Sequence, residues 1–386
     1  MALNKEKEMV IKQVITEDYA VYNGDSMEVI PELIEDKSIH LSVYSPPFFD
    51  LYQYSSSPRD MSNCKSYEGF MENYEFLVKE ISRITMPGRH SIVHCMDIPI
   101  KGGNGFIDYP GDIISMHAKH DLVYSGRRCV WKEPYRIARR TMSIGLKHAQ
   151  VIKDASICNV AGADYILDFR KKGDSDPPIS HSKGFSEYSG SNPPPQDLVD
   201  KYSGWEDNRT NRLSHWIFRH LASSVWMDIN IDSVLAYKAA RGSDEEKHVC
   251  PLQLDVIDRC IDYWSNPGEI VLTPFMGVGS EVYSAISKGR RGIGIELKET
   301  YFNQAIRNLK HAKDRYLKTQ GDLFAKENSD TEPASTHKFR TCKRKEEINY
   351  KEGGIKLNHC NLGWDLTMSV EEKVDRCNRC FYYSAD

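Results

Sequence analysis

The sequence predicts an α/β protein organised around a doubly wound, mostly parallel sheet. Three observations predict it. Strand-like and helix-like segments alternate through both ends of the chain, a Gly-x-Gly loop separates one strand from its helix, and a carboxylate closes the next strand. Ile39–Tyr44 reads as a short buried strand that runs into Ser45-Pro46-Pro47-Phe48. Tyr67–Ile84 carries Phe70, Tyr74, Leu77, Ile81 and Ile84 at helical spacing and stops ahead of Pro87-Gly88. Residues 90–96 form the next expected strand, and Cys129-Val130-Trp131 ends a third. Alternation returns at Val249. Residues 252–264 place Leu254, Ile257, Ile261 and Trp264 on one helical face. Ile270-Val271-Leu272 is then a strand, 277–288 a helix and 292–295 another strand.

The middle and the end differ in kind. From 171 to 205 the chain is rich in Gly, Ser, Pro and Asp, including Asp176-Pro177-Pro178 and Pro193-Pro194-Pro195, which is loop chemistry. A helical patch over 213–225 follows. The expected organisation is therefore a catalytic half over 1–161, an inserted recognition region over 162–231, a cofactor-binding half over 232–325 and a small polar tail module over 326–386.

Composition narrows the function classes. The 386 residues are 40% hydrophobic, enough for a sizeable core. No apolar run reaches the length of a membrane span, and residues 1–12 alternate charges as no secretory signal does. Ten scattered cysteines read as free thiols in a reducing compartment, which places the chain in the cytoplasm of a bacterial or phage-infected cell. With a net charge of −4, contact with nucleic acid requires a local basic stripe. Arg127, Arg128, Lys132, Arg136, Arg139, Arg140 and Lys147 offer one, with Glu133 among them; a solvated helix face explains these charges equally well.

Two loops carry chemistry. Thr273-Pro274-Phe275-Met276-Gly277-Val278-Gly279 lies between a strand and a helix. Its glycines let backbone approach a ligand, and the helix start offers unpaired N–H groups. Glu296 closes the next strand, at about the offset where a carboxylate accepts ribose hydroxyls. Val282 stands where a dinucleotide fingerprint has its third glycine, which favours S-adenosylmethionine, a ligand without pyrophosphate, over a nicotinamide cofactor. In Ser45-Pro46-Pro47-Phe48, a hydroxyl and a proline-fixed carbonyl are placed to hold the two N–H bonds of an exocyclic amine. Phe48 offers a stacking surface for an extruded base. Such acceptors localise the amine lone pair for in-line attack, without a cysteine nucleophile or a metal. A rigid exit turn is the plainer reading of the diproline alone.

In these residues the chain resembles the beta-class amino-methyltransferases of bacterial and phage DNA. That family pairs an Asp/Asn/Ser-Pro-Pro-aromatic tetrapeptide with a later Asp-Pro-Phe-x-Gly-x-Gly loop, a circularly permuted motif order on a Rossmann-like methyltransferase sheet. The resemblance implies a site-specific DNA methyltransferase acting on a flipped base, with cytosine N4 leaning ahead of adenine N6 because Ser45 opens the tetrapeptide. It also implies double-stranded DNA as partner, a restriction-modification or phage setting with a cognate restriction enzyme, and S-adenosylmethionine as cofactor. Asn23-Gly24-Asp25 is similar to the family's adenine-contacting acid. Lys247-His248-Val249-Cys250-Pro251-Leu252 is similar to its Lys-His-Pro segment. Pro87-Gly88-Arg89 and Val130-Trp131-Lys132 also look like landmarks. Thr273 stands where the family has Asp, so Asp25 and Glu296 are expected to carry the polar anchoring.

Base readout is expected from Arg209, Arg212, His215, Trp216, Arg219 and His220, on a helix able to enter a groove. An ordinary amphipathic helix packing Trp216 inward is the alternative. In the tail, Cys377-Asn378-Arg379-Cys380 is a Cys-x-x-Cys knuckle. With Cys342 and Cys360, or His359, upstream, it forms a candidate structural zinc set, against unpaired thiols on a polar segment. The basic run Lys338, Arg340, Lys343, Arg344 and Lys345 is placed either to touch phosphates or to keep the tail soluble. Two other readings stay open: methyl transfer to RNA or a protein amide on the same fold, and a catalytically impaired DNA-binding module.

Overall fold

The computed structural model describes residues 10–49, 59–100, 105–141, 144–157, 160–240 and 251–317. Lys247, His248, Cys342, Cys360, Cys377 and Cys380 lie outside the described residues.

β1 (Val10–Ile15) turns back onto β2 (Tyr19–Gly24) as an antiparallel pair. Asp25 then caps α1 (Ser26–Leu33), its carboxylate accepting the Met27 N–H at 3.0 Å. β3 (Ile39–Tyr44) is buried along its whole length, as a strand covered on both faces must be. α2 (Tyr67–Ile84) starts at Ser66, whose hydroxyl accepts the Gly69 N–H at 3.1 Å, and it buries the predicted stripe from Phe70 to Ile84. β4 (Thr85–Cys95) begins before the expected stop at Pro87-Gly88. Gly88 adopts φ +74, and the register against β3 jumps from Ile39↔Thr85 to Leu41↔His90, so the proline sits in a bulge.

A small ribbon, β5 (Ile98–Pro99) with β6 (Phe106–Ile107), leads into α3 (Tyr109–Lys119) and β7 (Leu122–Val130). α4 (Pro134–Thr141), α5 (His148–Lys153) and β8 (Asp164–Lys171) follow. Next come α6 (Gln196–Tyr202), α7 (Arg212–Leu221) and β9 (Val225–Trp226). α8 (Leu254–Trp264), β10 (Ile270–Thr273), α9 (Ser280–Ser287), β11 (Arg291–Glu296) and α10 (Glu299–Leu309) complete the described chain.

One sheet runs β1-β2-β11-β10-β3-β4-β8-β7-β9. Its centre, from β2 to β4, is parallel; β1 and β8 pair antiparallel with their neighbours. Alternate residues of the strands face opposite layers. Tyr44 and Leu272 pack with α1, α2 and α3, while Leu41, Val43 and Val271 pack with α8 and α9. Across the sheet, Arg89 clamps buried Glu269 with contacts of 2.6 and 3.0 Å and donates to the Pro177 carbonyl at 2.9 Å.

Two expectations shift. The stretch 162–231 was expected as an insert, yet β8 and β9 within it belong to the main sheet, through His94↔Ile166 and Val130↔Trp226. What stands apart is 172–224, with its own small core of Tyr202, Leu213, Ile217 and Leu221. Buried Arg259 of α8 ties it down, donating to Ser189 O at 2.6 Å, Asp228 at 2.7 Å and the Tyr188 hydroxyl at 2.8 Å. α9 starts at Ser280, not at 277, because Gly277 and Gly279 hold φ +53 and +92, outside the helical region.

Candidate active site

β3 and β10 lie side by side, with Val271 opposite Leu41 and Leu272 opposite Ser42. The next strand after β3 lies on one side of this pair and the next strand after β10 on the other. The two exit loops therefore part, and a crevice opens over the strand ends. A cavity of about 690 Å³ occupies it. Ser45, Pro47 and Phe48 line it from β3; Pro274, Phe275, Met276, Gly277 and Val278 from β10; Glu296 from β11; and Asp25 from the start of α1. Pro46 is buried behind its neighbours.

On the β10 side the backbone is bare. A Cβ at Gly277 would meet nothing within 4 Å, so this turn is open to a ligand. The Gly277 N–H donates to Glu296 Oε2 at 2.8 Å, and the Lys298 N–H donates to Oε1 at 2.8 Å. Burial pushes the Glu296 carboxyl up to about 7 against those two donors, with nearby Asp60 adding to the rise. Burial also pushes Glu281 up to about 8, and the Glu296 charge raises it further. Two buried carboxyls on one wall form a site that a cation would stabilise. Thr273 and Gly279 do not reach the cavity. Thr273 is fully buried and its hydroxyl has no hydrogen-bond partner among the described residues. A Cβ on Gly279 would come 3.1 Å from Ala305, so that glycine serves close packing on α10.

This donor set fits S-adenosylmethionine. A carboxylate at the strand end suits ribose hydroxyls, a second buried carboxyl suits a sulfonium or ammonium charge, and no phosphate cradle is present among the described residues.

The β3 side is acidic and basic at once. The Ser45 hydroxyl lies 2.9 Å from His94 Nδ1. His94 Nε2 lies 3.1 Å from Asp164 Oδ2, close enough to pair electrostatically though off the line of an ideal hydrogen bond. Lys132 Nζ sits 2.5 Å from Asp164 Oδ1. Burial alone would raise the Asp164 carboxyl, but Lys132 and His94 hold it well below the ordinary carboxylate range. Phe48 is buried with its ring edge-on to Tyr109 at 6.3 Å.

A family model described as DNA methylase matches residues 39–307. The chain belongs to the DNA methylase family. The methylase is 24% identical over 336 residues to the type II methyltransferase M.MthZI of Methanothermobacter thermautotrophicus, covering 81% of this chain and 85% of that protein. It is 22% identical over 308 residues to the type II methyltransferase M.BamHI of Bacillus amyloliquefaciens, covering 80% of this chain and 60% of that one. The PvuII DNA methyltransferase (cytosine-N4-specific) shares its fold, with a TM-score of 0.51 and 16% identity over 81% of this chain and 96% of that structure. The expected Rossmann-like sheet of an N4/N6 amino-methyltransferase is thus the fold of this chain.

The basic residues separate by position. Arg128 turns inward: its Nε donates to Leu221 O at 3.1 Å and its guanidinium lies 4.6 Å from the Trp264 ring centroid. It pins β7 to α7 and α8, which corrects its expected place at a DNA surface. Arg127 and Arg139 are exposed, and exposed Arg136 pairs with Asp232 at 2.6 Å; the Arg140 side chain lies outside what is described. Arg209, Arg212 and Arg219 point outward, while Trp216 packs toward the insert core and stacks on His220 at 3.8 Å. Both expectations for this helix hold at once, on opposite faces. His94, Asp164 and Glu281 went unmarked in the sequence. Only Val130-Trp131-Lys132 signalled that neighbourhood, because strand β8 was hidden beside a polar run. No helix among the described residues is long and apolar enough to cross a membrane, and no cluster of three metal-ligating side chains occurs among them.

Proposed function

We propose that this methylase modifies an exocyclic amine of a base flipped out of double-stranded DNA, cytosine N4 ahead of adenine N6, with S-adenosylmethionine as donor. One observation carries the reading: the Ser45-Pro46-Pro47-Phe48 turn and the Gly277 turn, distant in sequence, line a single cavity over neighbouring strand ends. When bound, the cofactor supplies a methyl group on a sulfonium, which leaves as a good electrophile. Glu296 and the Gly277 backbone hold its nucleoside end, Glu281 faces its charge and Asp25 its adenine. On the other wall Ser45 Oγ and the Pro46 carbonyl accept the amine N–H bonds, and Phe48 supports the ring. Rate comes from holding amine and methyl in line.

Base readout falls to the exposed face of α7 and to Arg209, with Arg127, Arg136 and Arg139 contacting phosphates. The resemblance that brings Ser45 forward favours cytosine. Incubating in vitro amplified DNA with protein and S-adenosylmethionine, then digesting to nucleosides for mass spectrometry, tests this. N4-methylcytosine is the expected product. N6-methyladenine would move the target base, and neither product would sink the reading.

A further inference from the structure

Four residues that line the cavity come from four consecutive strands of the sheet. Ser45 follows β3, His94 lies at the end of β4, Asp164 opens β8 and Lys132 follows β7. The order β3-β4-β8-β7, with Tyr44 opposite Val93, Cys95 opposite Tyr165 and Val130 opposite Asp164, brings them to one edge in that sequence. A sheet needs no buried carboxylate there. Asp164 is only 3% exposed, and it is retained between an ammonium at 2.5 Å and an imidazole at 3.1 Å. An anion facing Nε2 favours the tautomer with its proton on that nitrogen. This leaves Nδ1 as a lone pair aimed at the Ser45 hydroxyl, 2.9 Å away.

Resting on the methyltransferase reading above, we propose that His94 is the proton acceptor behind Ser45, oriented and made basic by Asp164. Methyl transfer forms an N–C bond, breaks the S–C bond and leaves one excess proton on the base nitrogen. That proton passes to Ser45 Oγ as the Ser45 proton passes to His94 Nδ1. Serine ends neutral, and the imidazolium rests against the Asp164 carboxylate. The imidazolium returns its proton to water once product leaves. Ser45 touches the amine; His94 acts through it as a positioning and proton-accepting residue. Lys132 keeps Asp164 ionised, so the acid never competes for the proton. Other charged or titratable groups near this corner are Asp97 after β4, Cys95 on β4, Arg127 and Cys129 on β7, and Tyr165 on β8. Burial raises the thiols and Asp97 alike, with Arg127 opposing.

The test compares the native chain with His94→Gln, whose amide oxygen accepts the serine hydrogen bond but takes no proton. Asp164→Asn, with the wrong charge toward Nε2, serves as a second variant should the first fold poorly. Melting temperature and S-adenosylmethionine affinity are measured alongside methyl transfer to amplified DNA across pH. The expected result is a fall in kcat of about 10²-fold with KM and cofactor affinity within about threefold, the span of general-base catalysis. The acidic limb of the native pH profile disappears in His94→Gln. A folded His94→Gln with near-native kcat, or one that keeps the acidic limb, overturns the relay and leaves the methyltransferase reading standing. A native chain that binds no cofactor and methylates no DNA overturns that reading, and the relay with it.

Discussion

At the scale of single residues, the two walls of the cavity divide the work and so give separable predictions. Ser45→Ala removes an acceptor for the amine but touches no cofactor contact. It should lower kcat by about 10- to 100-fold while leaving S-adenosylmethionine affinity nearly native, as single-turnover kinetics and calorimetry would show. Glu296→Ala should do the reverse, because its carboxylate both holds the Gly277 turn and faces the ribose. Glu281 predicts a pH effect. Its folded carboxyl is raised from 4.5 to about 8, so below pH 4.5 it is protonated in both states and costs nothing. As pH climbs from there to about 8, only the unfolded chain ionises, and stability is progressively lost. Glu281→Gln is therefore expected to be more stable than the ligand-free native protein, by a margin that widens between pH 5 and 8 in urea melts. An equal margin at both ends of that window would rule out a buried neutral carboxyl.

Elements carry a different kind of consequence. α7 buries Leu213, Ile217 and Leu221 and presents Arg212 and Arg219 to solvent, one periodicity serving both core and interface. Replacing both arginines with alanine should weaken DNA binding and flatten the dependence of log K on log salt by about one unit per lost phosphate contact. A weaker binder with an unchanged salt slope would show that α7 does not touch the backbone. The same pair of changes should leave the fold intact, since neither side chain enters the small core. Arg128, by contrast, is an element-to-element pin. Arg128→Ala should act through stability, by loosening α7 from β7, more than through the salt slope.

The whole molecule is held by the meeting of its two halves. Arg89, entering from the first half, and Glu269, from the second, form a buried bidentate pair where the halves share the sheet. Glu269→Leu alone should cost about 3–5 kcal/mol, because it strands a charge, whereas Arg89→Met combined with Glu269→Leu should recover much of that loss in denaturant melts. Since cofactor and base sit over the joint between the halves, S-adenosylmethionine at a hundred times its Kd should add about 2.7 kcal/mol and raise the melting temperature by several degrees.

Local sequence determined the parts of this protein whose physics is local. Ile39–Tyr44 as a buried strand, Tyr67–Ile84 as an amphipathic helix, the diproline turn and the glycine turn were all legible, because periodicity, caps and steric freedom act within a few residues. Tertiary structure decided what depends on distant neighbours. β8 entered the sheet although a polar run follows it, β4 ran through Pro87 as a bulge, and Arg128 turned inward against Trp264. It also gathered Ser45, His94, Asp164 and Lys132 from four strands. Strand order and register place those side chains, and both are fixed by pairing between segments that no local pattern connects.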